Sequence, residues 1–163
     1  MPLLDREGLQ ADPFDRADPS AEGVIVPFDG LEEALESGSN RPVGVDLPNH
    51  VHPSRLASHL DRLALVAIDF PKFSDGRGFS LARMLREQGY RGRLRATGRI
   101  LPDQFAFALH SGFDEVEISD EQAARLPVGQ WQLAPHQFSD NYVDTRDGRV
   151  SVFKRRRAAR EAA

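Results

Sequence analysis

The stretch Leu65-Val66-Ala67-Ile68-Asp69-Phe70-Pro71-Lys72-Phe73-Ser74-Asp75-Gly76-Arg77-Gly78-Phe79-Ser80-Leu81-Ala82-Arg83-Met84-Leu85 carries the fold in miniature. Leu65 to Phe70 is continuous in apolar residues up to Asp69, the pattern of a strand covered on both faces. A loop with Pro71 and two glycines follows. Leu81 and Leu85 then recur on one helical face, with Ala82 and Met84 beside them, and Gly89 is placed to end that helix in a left-handed conformation. Strand, loop and helix in this order form the repeating unit of a parallel α/β fold.

The same unit recurs on both sides. Upstream, Val24 to Phe28 reads as a weak strand and Leu31 to Glu36 as a short helix. Val43 to Leu47 is a strand closed by Pro48, and Pro53 opens a helix whose apolar face carries Leu56, Leu60 and Leu63. Downstream, Arg93 to Thr97 is a strand, and Pro102 opens a helix carrying Phe105, Ala108 and Leu109 that Gly112 terminates. Glu115 to Ile118 is a further strand and Asp120 to Leu126 a last short helix. Connections of this length force parallel strands with right-handed crossovers. The expected class is α/β with a parallel sheet, either open and three-layered or a half (β/α) barrel. A half-barrel would leave edges that favour a homodimer.

A chain of 163 residues suits one domain, placed here at residues 23–145. Residues 1–22 mix Asp, Pro, Arg and Gly with few large apolar groups and read as a flexible arm. Beyond Pro127 the pattern fades: Trp131, Phe138 and Tyr142 would anchor an extension, and Asp147-Gly148 signals a turn. Residues 146–163 read as a solvated basic tail with Lys154, Arg155, Arg156, Arg157 and Arg160.

Hydrophobic residues at 40% and charged residues at 28% are a globular balance. The net charge of −4 gives no general attraction to nucleic acid, and the basic tail has no interleaved aromatic residues to stack bases. No apolar run suits a membrane span and the start lacks a leader pattern, which points to the cytoplasm. The absence of cysteine excludes thiol nucleophiles and thiolate-held clusters, so any redox role needs a bound cofactor or a partner's redox centre. No serine occupies a nucleophile elbow.

Ligands of parallel α/β folds bind at the carboxyl ends of the strands, so the loops after Leu47, Phe70, Thr97 and Ile118 should share a rim. The loop at 70–80 sets Lys72, Asp75, Gly76, Arg77, Gly78 and Ser80 beside a helix N-terminus, whose N–H groups attract anions. It matches neither the dinucleotide fingerprint nor the phosphate loop. A second loop brings Arg95 and Gly98 to the rim, with Asp103 and Gln104 on the next helix. Convergence of Lys72, Arg77 and Arg95 would make a cradle for a small anion, a cofactor phosphate or an acidic partner surface. The plainer reading is that Asp75 caps the helix, the glycines turn the chain, and Asp69, Asp75 and Asp103 pair with the cations. His50 and His52 have the spacing of a metal-hydrolase pair, but such a site needs further ligands. His59, His110 and His136 are dispersed along the chain, so a solvated pair is the better reading and no metal site is assigned.

The run from Asp69 to Glu87, continuing through Gly92-Arg93-Leu94-Arg95-Ala96-Thr97-Gly98 and Asp103-Gln104 to Gly112-Phe113-Asp114, resembles the bacterial family called domain of unknown function 934. The resemblance spans roughly residues 43 to 142, with Phe-x-Asp-Gly-Arg-Gly as its most specific core. It implies an oxidoreductase component of assimilatory sulfite reduction, usually encoded beside sulfite reductase. By position, the shared residues here are Phe73, Asp75, Gly76, Arg77, Gly78, Ser80, Arg83, Arg95, Gly98, Asp103 and Gln104. Many relatives carry a cysteine where Ser111 stands, so no mechanism shared with them rests on that thiol. The expected function is therefore an accessory protein binding a small anion or cofactor phosphate at the rim, with the cofactor itself left open. The alternatives are an interaction or maturation module for sulfite reductase and, least favoured, a metal-dependent hydrolase.

Overall fold

The computed structural model describes residues 1–131. Eight strands form one sheet: β1 (Leu3–Asp5), β2 (Gly8–Gln10), β3 (Phe14–Asp15), β4 (Gly23–Pro27), β5 (Val43–Leu47), β6 (Leu63–Phe70), β7 (Arg93–Gly98) and β8 (Glu115–Glu117). Their order is β2-β1-β8-β7-β6-β5-β4-β3. From β3 to β8 all pairings are parallel, whereas β1 joins β2 and β8 antiparallel. Among the described residues, the helices α1 (Leu31–Glu36), α2 (Arg77–Glu87), α3 (Pro102–Ser111) and α4 (Asp120–Arg125) accompany them. Gly89 and Gly112 take positive φ, 92° and 108°, just beyond α2 and at the end of α3.

Connectivity alone requires the sheet to curl. β2 and β3 are its opposite edges, which in a flat sheet of this size would stand about 34 Å apart. Yet only residues 11–13 separate Gln10 from Phe14, and that connection reaches at most about 15 Å. The sheet is therefore a half-barrel whose edges approach one another. Its two faces differ accordingly. Val45, Leu47, Val66, Ile68, Phe70, Leu94, Ala96 and Val116 point outward and pack with Leu81, Ala82 and Leu85 of α2 and Phe105, Ala108 and Leu109 of α3 in one large core. The concave face holds a smaller apolar cluster, Phe14 with Ile25 and Leu65, and above it a layer of charge. With the large core on the convex face alone, the half-barrel, not the open three-layer sheet, is the architecture.

Two expectations need correction. Residues 1–22 are not a loose arm, because they supply β1, β2 and β3 and bury Leu3, Leu4 and Phe14. The helix expected from Pro53 to Leu63 is instead two short 3-10 turns, Pro53–Leu56 and Leu60–Arg62, and Leu63 already belongs to β6. Leu56 fills the core while Leu60 is only partly buried, so the spacing recorded burial without helix continuity. Trp131 is fully buried against Phe105, with ring centroids 6.2 Å apart. His136, Phe138, Tyr142, the Asp147-Gly148 turn and the basic tail lie outside the described residues. Among the described residues, no helix is long and apolar enough to cross a membrane.

Candidate functional site

The carboxyl ends of the parallel strands bring the expected loops to one rim. Asn49, after β5, donates from Nδ2 to Oδ2 of Asp75 at 2.9 Å and so ties its loop to the one after β6. That loop is in turn fixed to α3, because Gln104 Nε2 donates to the Phe73 carbonyl at 2.7 Å while its Oε1 accepts from the Leu101 amide. Gly98 takes a positive φ of 89° at the end of β7, and an added Cβ there would lie 2.7 Å from both the Asp69 carboxylate and the Phe70 carbonyl. Gly78 sits on α2 against the Phe70 ring, where a Cβ would lie 2.4 Å away. The two glycines thus let helix and loop approach β6 closely.

Arg77 lies on this rim, but its guanidinium is engaged: Nε and Nη2 donate to Asp75 at 2.9 and 2.6 Å. The Asp75 carboxylate also accepts from the Arg77 amide, and the Arg77 guanidinium, with Asn49 assisting, holds its pKa well below the usual carboxylate range. By linkage, that contribution is present above the ordinary aspartate pKa and is lost as pH falls toward the depressed one. Lys72, Ser80 and Asp103 are exposed around the loop, and Gly76 caps α2 through its backbone.

Arg95 is not brought to this cradle. Its side chain is 0 % exposed and points into the concave face, where Nε donates to Glu115 at 2.7 Å and Nη1 to Glu117 at 2.9 Å. Nη1 and Nη2 also form a two-pronged bond to Asp12 at 2.6 and 2.7 Å. Burial alone would ease deprotonation, but the Asp12 hydrogen bonds and the Glu115 charge outweigh it and hold the guanidinium charged. The physical reason for the misplacement is strand alternation: Arg93, Arg95 and Thr97 share the inner face, and only the carboxyl end of β7 reaches the rim. Arg93 pairs with Glu115 in the same layer. Across the mouth, Arg16 binds Asp46 through Nε and Nη2 at 2.8 and 2.9 Å and Glu117 through Nη1 at 2.8 Å. Asp69, near the carboxyl end of β6, is left without a cation among the described residues; partial burial and the neighbouring Asp46 charge raise its pKa.

Beside this layer, the rim opens into a cleft of about 490 Å³ lined by Phe73, Gly98, Arg99, Leu101, Glu117 and Leu126, among others. Its walls come from the ends of β7 and β8, the 70–80 loop and α4. Among the described residues, the Arg99 side chain makes no hydrogen bond or ion pair. The sequence reading passed over Arg99, Asp12, Arg16, Asp46, Glu115 and Glu117 as site residues. The alternation Arg93-Leu94-Arg95-Ala96 facing Glu115-Val116-Glu117 was the available signal: opposite charges on one face of neighbouring strands.

His50 and His52 are exposed, and His52 Nδ1 lies 2.8 Å from Ser54 Oγ at the start of a 3-10 turn. Among the described residues, no group of three or more histidines, aspartates or glutamates is placed to hold a metal ion.

Residues 44–153 match the family model described as bacterial protein of unknown function, DUF934. The chain belongs to this family. Among curated proteins, none matches the chain. The DUF934 match takes in β5 to β8 and the whole rim from Asp46 to α4, whereas Asp12 and Arg16 come from outside it.

Proposed function

We propose that this DUF934 protein binds an organic anion in the rim cleft and serves as an accessory component of sulfite assimilation. What supports the binding reading most is a single observation: Arg99 stands with no partner among the described residues, at a cleft whose apolar wall is Phe73, Leu101 and Leu126 and whose acids are already paired, Glu117 with Arg16 and Arg95 and Glu121 with Arg125. Such a cleft suits a molecule with an apolar body and one charged end, since a few placed polar groups on an apolar wall fix orientation. The link to sulfite reduction comes from the resemblance carried by the 70–80 loop. With no cysteine in the chain, reducing equivalents would arrive on a bound cofactor or from a partner. The 70–80 loop contributes Phe73 to the wall, and Lys72 and Ser80 remain available at its surface.

Purification in native form, with native mass spectrometry and absorbance, tests this reading. A co-purifying anion is expected, and Arg99→Ala should weaken its binding at least tenfold, the effect of losing about 1.5–3 kcal/mol in a charge-assisted hydrogen bond. Binding unaltered by Arg99→Ala would refute it.

A second reading has its own observation. Phe73 and Phe107 are 58 % and 55 % exposed, and Phe107 stacks edge-on against Phe79 with centroids 4.7 Å apart. Exposed aromatic groups of this kind are common anchors at protein interfaces. A sulfite reductase partner docking here would form a complex that survives gel filtration and that Phe107→Ser dissociates; loss of the anion with the complex intact would favour this module over the cleft.

A further inference from the structure

Two side chains of opposite charge flank Gly98, a glycine of the rim cleft, and neither has a counter-ion. Arg99 follows Gly98 in the chain, and its side chain makes no hydrogen bond or ion pair among the described residues. Asp69 approaches from β6: a Cβ placed on Gly98 would lie 2.7 Å from its Oδ1. Among the described residues no cation pairs with Asp69, and no ion pair joins it to Arg99. The acids that line the cleft differ, since Glu117 is held by Arg16 and Arg95 and Glu121 by Arg125. The charges left for a ligand are therefore one of each sign.

Asp69 stands near the carboxyl end of β6, which has parallel neighbours on both sides, and ligands of such sheets bind at that end. Partial burial and the charge of Asp46 both disfavour its ionised form, so what this carboxylate lacks is a positive group. An acid perturbed in this way beside a cleft is a candidate for ligand contact. Gly98 keeps the approach open. Its φ of 89° and the closeness of the Asp69 carboxylate and the Phe70 carbonyl exclude a side chain at that position.

We propose that the rim cleft takes a zwitterion, an α-amino acid with an apolar or aromatic side chain, its carboxylate on Arg99, its ammonium on Asp69 and its side chain against Phe73, Leu101 and Leu126. The proposal rests on the anion-binding reading above and adds to it a second charge and the residue that reads it. A cleft of about 490 Å³ has room for one such molecule. An ammonium group brought there without a partner would weaken binding through lost hydration. Asp69 reverses that sign, so among ligands with the same apolar body and carboxylate it selects the one that carries an amine.

L-Phenylalanine and 3-phenylpropionate, which differ only in the amino group, are the probes, compared by titration calorimetry on the full chain at neutral pH. Phenylalanine should bind about fivefold more tightly, the effect of an ion pair partly open to solvent. Asp69→Asn, which keeps the shape of the side chain, should remove that preference and leave 3-phenylpropionate binding unreduced. Arg99→Ala should weaken both probes at least tenfold. If 3-phenylpropionate binds as tightly as phenylalanine and still depends on Arg99, the zwitterion is overturned and the anion reading stands. A preference for phenylalanine that survives Asp69→Asn has the same meaning. If neither probe binds, or Arg99→Ala leaves both unchanged, the anion reading falls and the zwitterion with it.

Discussion

The two faces of the same strands are held by different physics. On the convex face, Val66, Ile68 and Phe70 of β6 meet Leu81, Ala82 and Leu85 of α2, and the chain between them is short. On the concave face, Arg95 is satisfied by residues 83, 20 and 22 positions away, and Arg16 reaches Glu117 across 101 positions. One face is built by local repetition of a strand-helix unit. The other is built by charge pairing between segments that meet only once the sheet has curled. A curled sheet of this kind leaves an interior too narrow for a second layer of helices, so side chains and the N-terminal segment fill it.

That contrast can be broken by substitution. Arg95→Met should have the largest effect, about 4 kcal/mol by urea denaturation, because three carboxylates lose their common counter-ion in a buried setting. Leu85→Ala, fully buried under α2, should cost about 3 kcal/mol through the cavity it leaves. If Arg95→Met proves milder than Leu85→Ala, the charged layer contributes less to the fold than the geometry states. Arg16→Met, one-third exposed, should cost about 1 kcal/mol, less at high salt. Asp69→Asn is the smallest and has the opposite sign. The folded-state pKa of Asp69 is raised by burial and by Asp46, so its ionisation disfavours the native state once pH rises through that value. The substitution should therefore stabilise the protein at pH 7 by about 0.5 kcal/mol or less, after solvent screening, and the gain should vanish at acid pH.

Most of the convex architecture was legible in the sequence. The bounds of β5 and of the helices at 31–36 and 102–111 follow from apolar spacing, and Gly89 and Gly112 mark ends that the backbone confirms with positive φ. The helix carrying Leu81 and Leu85 starts earlier than that spacing shows, at Arg77, so its first turn lies inside the stretch 70–80 read as a loop. The rim loops were legible too, since Gln104, Phe73, Asn49 and Asp75 do converge. Arg95 was misread because its neighbours in sequence say only that it lies near the end of a strand, whereas its face is set by alternation. The N-terminal segment was misread for a related reason. Its composition offers few apolar groups, but Leu3, Leu4 and Phe14 are all buried, and its charged residues find partners that no local window contains. The turns at 53–62 show the converse, an apolar spacing that satisfies burial without an α-helix.

Amide hydrogen exchange over residues 1–22 tests most directly whether the N-terminal segment is part of the half-barrel. Pairing of β1 with β8, the Gly23 amide bonded to the Pro13 carbonyl, and the Asp12 and Arg16 contacts predict protection for the amides of β1 and of Gly23 close to that of β6. Exchange of the whole segment at the rate of an unstructured peptide, with β6 still protected, would contradict the account.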